Sequence, residues 1–171
     1  MKKIFLASIA LLSVMIFASC SEDNPPAQKA EGKYVVKRET NMVNLPAHMP
    51  FTPLSEQVTL VVKATSDNHG SITIPSTTYL MMGNEMTIPA FTIPNVPMLD
   101  DMENGTFIPT HQFVIDGEKY IEGTINGEIE DDGDVDIDLT YKYGSMPFAI
   151  KQEFESWYEC RTESFILMGL D

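Results

Sequence analysis

The sequence predicts an all-β fold, a single antiparallel up-and-down barrel of about eight strands, with a β-sandwich as the alternative. Three observations lead to this prediction. Apolar and polar residues alternate with period two over most of the chain after residue 31, as they do in half-buried strands. Clusters of Gly, Asn, Asp and Ser separate these segments at hairpin spacing. No segment before residue 152 has a convincing helical period.

Eight segments carry the strand pattern, and residues 135–143 show it most clearly. Pro75 interrupts the segment 71–80 and three prolines interrupt 87–98, which predicts an edge or a bulge rather than a regular central strand. The acidic stretch 99–106 is expected to form a loop. The predicted strands are 33–43, 57–64, 71–80, 87–98, 107–115, 120–130, 135–143 and 146–154.

Turn residues predict how these strands are connected. Asp116-Gly117 is typical of a two-residue hairpin turn. The other turns are expected at 66–70, 83–84, 131–134 and 144–145. After residue 154 the pattern is ambiguous. The helical spacing of Phe154, Trp157, Tyr158 and Arg161 predicts a C-terminal helix packed on the barrel. Residues 165–168 could equally add a strand.

The N-terminus has the features of a secretory signal. Lys2 and Lys3 precede the fourteen-residue apolar run 4–17, which is too short to span a bilayer. The motif Phe17-Ala18-Ser19-Cys20 resembles the lipobox of bacterial lipoproteins, with Phe17 in the usual place of Leu. This resemblance implies that a diacylglyceryl group is attached to Cys20, which becomes the mature N-terminus, and that the partner of this anchor is the outer-membrane lipid of a Gram-negative bacterium.

The residues after Cys20 predict how the folded part is presented. The acidic stretch 21–24 resembles the surface-export signals of Bacteroidetes lipoproteins, and a solvated tether is the alternative. Residues 25–29 predict a stiff, extended spacer. The predicted organisation is therefore a signal peptide at 1–19, a lipidated tether at 20–30 and one barrel domain at 31–171, displayed at the cell surface.

Charge and cysteine content exclude several classes of function. Loss of Lys2 and Lys3 changes the net charge from −14 to −16, which argues against nucleic acid and anionic lipid head groups as partners. With Cys20 lipidated, Cys160 has no partner for an internal disulfide and is expected to be a tolerated thiol. No nucleophile–base pair, phosphate loop or metal-ligand spacing is recognisable. We therefore expect neither an enzyme nor a cofactor.

One acidic stretch contains candidate metal ligands. Asp132, Asp134 and Asp136 lie in the run DDGDVDID, and carboxylates are suitable ligands for calcium. The spacing fails the EF-hand pattern, because Ile137 occupies the position that requires Gly. A solvated hairpin with an acidic outer strand face explains the same residues, so no metal is expected.

Several stretches together resemble the calycin-like, lipocalin-like barrel domains of Bacteroidetes lipoproteins. They are Gly32-Lys33-Tyr34, Ile72-Thr73-Ile74-Pro75, residues 86–98 and residues 123–148. Tyr34 stands where lipocalins have Trp. The resemblance implies a barrel fold and a lipoprotein address, and it supplies no catalytic residues.

Two functions follow as hypotheses. In the first, the barrel binds a small apolar or amphipathic ligand. In the second, the core is filled and the protein binds a protein or glycan partner without catalysis. They differ in whether inward residues enclose a cavity. The candidate pocket-lining residues are Tyr34, Phe91, Phe113, Tyr141, Phe148 and Trp157.

Overall fold

The computed structural model describes residues 24–101 and 105–156. These residues form one short helix and eleven strands. No helix in these two ranges has the length and apolar character needed to cross a membrane. The elements are α1 (Pro26–Lys29), β1 (Gly32–Val43), β2 (Leu54–Ser66), β3 (His69–Ile74), β4 (Thr77–Met81), β5 (Asn84–Ile88), β6 (Phe91–Pro97), β7 (Leu99–Asp101), β8 (Gly105–Ile115), β9 (Ile121–Glu130), β10 (Val135–Tyr143) and β11 (Ala149–Ser156).

Nine strands form one antiparallel sheet that curls into a nearly closed barrel. Its order is β6-β3-β2-β1-β11-β10-β9-β8-β7. The first and last strands pair with each other, with Val36 opposite Ser156 and Val43 opposite Ala149. The two edge strands, β6 and β7, are joined through Met98, and β6 lies against β8. The predicted antiparallel barrel is therefore confirmed over the sandwich alternative.

The predicted strands 71–80 and 87–98 are each divided in two, and this is the main difference from the sequence prediction. The first becomes β3 and β4, and the second becomes β5 and β6. Pro75 and Pro89 lie at the breaks. Because proline has no backbone N–H to donate to a ladder, the chain leaves the barrel sheet there. β4 and β5 pair only with each other within the described sheets, and they form a separate hairpin.

Three local predictions were wrong. The expected loop 99–106 contains β7 and the start of β8. The expected two-residue turn at Asp116-Gly117 is a five-residue connection, 116–120. The expected extended spacer 25–29 contains α1 instead, because burial of Ala27 and Ala30 stabilises a helical turn that Pro26 can begin.

The inner face of the barrel is formed by alternate residues of each strand. On β10 the buried positions are Val135, Ile137, Leu139 and Tyr141, as the alternation predicted. Gly123 and Gly127 lie opposite this strand on β9. A Cβ at either glycine would collide with the β10 backbone. These glycines therefore allow the tight coiling that closes a barrel wall.

The barrel has two different ends. At the α1 end, the Ala27 amide donates to the Asp67 carbonyl (3.1 Å) and the Thr106 hydroxyl donates to the Pro26 carbonyl (2.9 Å). At the opposite end, which we call the hairpin end, the β4–β5 hairpin lies beside the loops 44–53 and 144–148. The chain thus enters the barrel at the end remote from the hairpin.

Candidate functional site

The β4–β5 hairpin covers the hairpin end of the barrel. Its turn, Met82-Gly83, has positive φ at both residues (51° and 78°), as a type I′ turn requires. The turn therefore lies one residue before the predicted Gly83-Asn84. Thr77, Tyr79 and Ile88 are buried on the hairpin's inner face. The outer face exposes apolar side chains, since Leu80 is 66% and Met82 59% exposed.

Few contacts hold the hairpin to the barrel. Its only backbone pairing with the rest of the described chain is the isolated bridge between Phe51 and Met81. The rings of Phe51 and Tyr79 pack edge to face, with centroids 6.0 Å apart. The Tyr79 hydroxyl donates to the Met146 sulfur at 3.8 Å. The hairpin is therefore held to the barrel mainly by side-chain contacts and does not form part of the barrel sheet.

A fully buried arginine lies beneath the base of the hairpin. Arg38 projects inward from β1 and is 0% exposed. Its guanidinium donates to the carbonyl oxygens of Pro75 and Ser76, each at 2.9 Å, and forms an ion pair with Glu56. Pro75 and Ser76 are the two residues that connect β3 to β4. Arg38 therefore fixes the hairpin to the barrel interior.

Further polar side chains share this interior. The Gln152 amide nitrogen donates to the hydroxyls of Thr77 (2.8 Å) and Thr40 (3.3 Å). All three residues are buried, and Thr40 lies opposite Gln152 in the β1–β11 pair. A polar cluster inside an otherwise apolar barrel requires hydrogen-bond partners for each of its groups. We refer to Arg38, Thr40, Thr77, Tyr141 and Gln152 as the interior polar cluster.

Three atoms of the interior polar cluster have no hydrogen-bond partner. They are Nε of Arg38, the hydroxyl of Tyr141 and Oε1 of Gln152. The electrostatic influence of Arg38 reaches Tyr141, and the Thr77 side chain approaches the Tyr141 hydroxyl closely enough to act on its pKa, although the pair does not meet the geometry of a full hydrogen bond. Burial raises the pKa of Tyr141 well above its ordinary value, against smaller opposite effects of Arg38 and Thr77. The phenol therefore stays protonated and can both donate and accept a hydrogen bond.

The structure brings some of the six candidate lining residues together. Phe91 and Tyr141 pack edge to face at the hairpin end, with ring centroids 5.1 Å apart. Phe113 and Phe148 are buried near that end of the barrel. Tyr34 lies at the α1 end, where its hydroxyl donates to the Ala30 carbonyl at 2.9 Å. Trp157 falls outside the described residues.

Apolar side chains occupy the barrel on both sides of the interior polar cluster. The inward residues that distinguish an open from a filled barrel are at most 5% exposed: Ile121, Ile125, Val135, Ile137, Leu139, Phe148 and Ile150. A depression of about 330 Å³ opens on the outer surface around Gly123, between Glu122 and Lys142. Space for a ligand inside the described barrel would therefore have to be made by movement of the β4–β5 hairpin.

The acidic residues form a group different from the candidate calcium ligands. Carboxylate oxygens of Glu130, Asp132 and Asp134 lie within 4.8 Å of one another, and Asp136 is not part of this group. The pKa of Glu130 is raised, mainly by desolvation and then by the charges of Asp132 and Asp134. The turn itself is organised by the Asp134 amide, which donates to the Asp132 carboxylate at 3.1 Å.

The histidines do not join the interior polar cluster. His48 is exposed in the loop 44–53. His111 on β8 is partly buried, and His69 lies near enough to act on it electrostatically. Burial first, and His69 second, lower the pKa of His111. The two candidate residues Cys20 and Cys160 lie outside the described residues.

Sequence reasoning missed the polar residues of the interior, although their positions carried a signal. Arg38 and Thr40 follow Val36 in the same alternating phase of β1, and Gln152 lies between Ile150 and Phe154 in the inward phase of β11. A polar residue in the apolar phase of a strand indicates either a bulge or a buried polar site. Thr77 could not be assigned in this way, because its strand lies outside the barrel sheet.

Comparisons with known proteins support the fold. No curated protein matches the chain. The structure is similar to that of a "putative outer membrane protein" from Bacteroides fragilis, with a TM-score of 0.61 and 17% sequence identity. The similarity covers 79% of this chain and 53% of that protein, and at this identity it concerns the fold alone. The family model of the calycin-like beta-barrel domain matches residues 32–156, the same residues that build the barrel from β1 to β11. The chain therefore belongs to the calycin-like β-barrel domain family.

Proposed function

We propose that this protein is a non-catalytic outer-membrane lipoprotein, anchored through Cys20, that binds a small amphipathic ligand at the hairpin end of its barrel. The observation that carries the binding function is the set of three buried, unpartnered polar atoms on Arg38, Tyr141 and Gln152. The lipobox-like motif supports the anchor. The outer-membrane designation of the Bacteroides fragilis protein is consistent with the same address.

In the closed barrel these three polar groups are buried at a cost in free energy. A buried polar group without a partner costs about 1–3 kcal/mol, so the three groups together cost on the order of 3–9 kcal/mol. A ligand that supplies partners for them recovers part of this free energy on binding. Water can also satisfy such groups where a small space allows it, and the experiments below distinguish the two.

The hairpin provides the route of entry. Thr77, Tyr79 and Ile88 fill the hairpin end of the barrel from above. When the hairpin moves outward, these side chains leave with it and expose the cluster members that stay on the barrel wall beside Phe91: Arg38, Thr40, Tyr141 and Gln152. The apolar part of a ligand would then take the place of the Tyr79 and Ile88 side chains, while its polar part meets the cluster.

The proposed anchor orients this site away from the membrane. Cys20 precedes Pro26 by six residues, and an extended chain of that length spans about 20 Å at most. Because α1 packs at the end remote from the hairpin, the α1 end faces the bilayer. The hairpin end then faces the medium from which a ligand would arrive.

A second candidate function, a lipoprotein that binds a protein or glycan partner, is favoured by one observation. The seven inward apolar residues named above are all buried, so the barrel interior on both sides of the interior polar cluster is packed. In that case the exposed residues Leu80 and Met82 and the acidic outer surface would be the parts that contact a partner.

The binding proposal is tested by native mass spectrometry of the mature chain, residues 20–171, purified gently from its host. A reproducible additional mass of small-molecule size is expected, and organic extraction identifies it. Tyr141→Phe should lower its occupancy, whereas the matched change Tyr34→Phe at the other end should not. A clean ligand-free mass, even after incubation with lipids, haem and bile acids, would overturn ligand binding and favour the second candidate.

The anchor is tested separately by metabolic labelling with radioactive palmitate. The full chain should incorporate label into the outer-membrane fraction, and Cys20→Ser should abolish incorporation. Labelling that survives Cys20→Ser would contradict anchoring through this residue, without bearing on the ligand site.

A further inference from the structure

We infer that the ligand recognised at the interior polar cluster carries an uncharged head group with both a donor and an acceptor, a hydroxyl or a primary amide, and that carboxylates are discriminated against. This inference rests on the proposed binding function and specifies its chemistry. It follows from the hydrogen-bonding capacity that Arg38, Tyr141 and Gln152 leave unused.

The unused groups are complementary in kind. Arg38 Nε offers a donor, Gln152 Oε1 offers an acceptor, and the Tyr141 hydroxyl can do either. A hydroxyl can accept from Arg38 and donate to Gln152 at the same time. An ionised carboxylate accepts only, so it would leave Gln152 Oε1 unpartnered and place a negative charge beside it.

The charge of Arg38 does not favour an anion. Its guanidinium already forms the ion pair with Glu56 and donates to the carbonyls of Pro75 and Ser76. No uncompensated positive charge is therefore left at the cluster, where the other members are Thr40, Thr77, Tyr141 and Gln152. Transfer of a carboxylate from water into this buried site would lose its hydration without gaining a free cation.

The arrangement also limits the position of the head group. Gln152 donates to Thr77 on the hairpin, and Thr77 lies near Tyr141, which senses the charge of Arg38. The three side chains that carry the unused groups therefore lie around Thr77, at the base of β4. A head group bound there would contact both the barrel wall and the hairpin, so the hairpin can close over it.

Three probes with apolar chains of closely similar length test the inference: 1-decanol, decyl methyl ether and decanoate. The ether accepts hydrogen bonds but cannot donate, and decanoate is an anion at pH 8. Binding is measured by equilibrium partitioning of each labelled probe to residues 20–171. We expect 1-decanol to bind at least tenfold more tightly than either of the other two.

Two variants locate the head group. Gln152→Leu removes the acceptor and should bring the affinities for 1-decanol and the ether to within about twofold of each other. The matched change Gln112→Leu, at an exposed glutamine on the outer face of β8, should leave the tenfold difference unchanged. Because Gln152→Leu also removes hydrogen bonds to Thr40 and Thr77, Tyr141→Phe is used in parallel. It removes a hydroxyl that has no partner and should reduce 1-decanol binding without unfolding the protein.

The outcomes separate this inference from the proposed function. Tighter binding of decanoate than of 1-decanol would overturn the neutral head group and leave ligand binding intact. Preferential 1-decanol binding that is unaffected by both Gln152→Leu and Tyr141→Phe would place the head group elsewhere and also overturn the inference. Failure of all three probes, together with a ligand-free mass of the native protein, would overturn the proposed function itself.

Discussion

Replacing Tyr141 by phenylalanine should stabilise the ligand-free protein. The Tyr141 side chain is 1% exposed, and its hydroxyl has no hydrogen-bond partner among the described residues. In the unfolded chain the same hydroxyl is hydrated. Folding therefore removes it from water without compensation, and deletion of the oxygen removes that cost while the ring keeps its packing against Phe91.

The expected gain is about 1–2 kcal/mol, within the range of about 1–3 kcal/mol for a buried unsatisfied polar group. A gain of this size raises the midpoint of thermal unfolding by about 3–6 °C for a chain of this length. Urea denaturation followed by circular dichroism measures the free energy of unfolding directly. The slope of the transition should not change, because both proteins expose the same surface on unfolding.

Tyr34→Phe is the matched control, since the same atom is deleted at a hydroxyl that does have a partner. The Tyr34 hydroxyl donates to the Ala30 carbonyl at 2.9 Å, so this variant should lose about 0.5–1.5 kcal/mol. The two variants should therefore change the free energy of unfolding with opposite signs. If Tyr141→Phe destabilises the protein by as much as Tyr34→Phe does, then the Tyr141 hydroxyl has a partner, such as Thr77 or an internal water, and it is not available to a ligand without loss.

Three further predictions concern the cover and the strands around it. Glu56→Gln leaves the buried Arg38 without its anionic partner and should lower the free energy of unfolding, measured by urea denaturation, by about 2–3 kcal/mol; this is somewhat below the usual cost because Glu56 is partly exposed. The control Glu39→Gln breaks the exposed pair with Lys37 and should change stability by less than about 1 kcal/mol. Equal effects of the two variants would contradict a structural role for Arg38. The pKa of His111 is lowered in the folded protein, so the unfolded chain binds more protons, and stability should fall as the pH decreases through about 6.5. His111→Gln should flatten this pH dependence of stability between pH 7.5 and 5. An unchanged profile would show that other groups cause the dependence. Phe51 and Met81 are directly paired, so Phe51→Cys and Met81→Cys can form a disulfide in a background where Cys20 and Cys160 are replaced by serine. This disulfide should slow 1-decanol association at least tenfold until dithiothreitol is added. Association that is equally fast in the oxidised protein would exclude hairpin opening as the route of entry.

The barrel could be predicted from the sequence because its wall is built from local alternation. Residues 135–143 have one inward and one outward phase, and β10 buries the first four residues of the predicted inward set and half-buries the fifth, Tyr143. The pairing of β1 with β11 also follows once the strands form a closed up-and-down series. These features depend on neighbours in sequence and on closure, and both can be read without coordinates.

The separate hairpin could not be predicted in the same way. The segments 71–80 and 87–98 have the composition of strands throughout, and the prolines at 75 and 89 mark a disturbance without giving its direction. Whether a strand interrupted by proline bulges within its sheet or leaves it depends on what the departing part can cover. Here the departing part carries Tyr79 and Ile88, which are buried over the open end of the barrel.

The candidate site depends both on the alternating pattern of the barrel strands and on the separate β4–β5 hairpin. Arg38 and Gln152 stand in the inward phase of β1 and β11, and their polarity alone predicts only that something must satisfy them. The hairpin satisfies part of this requirement, through the carbonyls of Pro75 and Ser76 and the hydroxyl of Thr77. It leaves Arg38 Nε, the Tyr141 hydroxyl and Gln152 Oε1 unused. A cover that had evolved only to close the barrel would be expected to satisfy all of these groups or to replace them by apolar residues, since either arrangement is more stable. The hairpin has one backbone bridge to the rest of the described chain and is otherwise held by side chains. Partial satisfaction of buried polar groups by such an element is the arrangement expected of a cover that opens for a polar ligand.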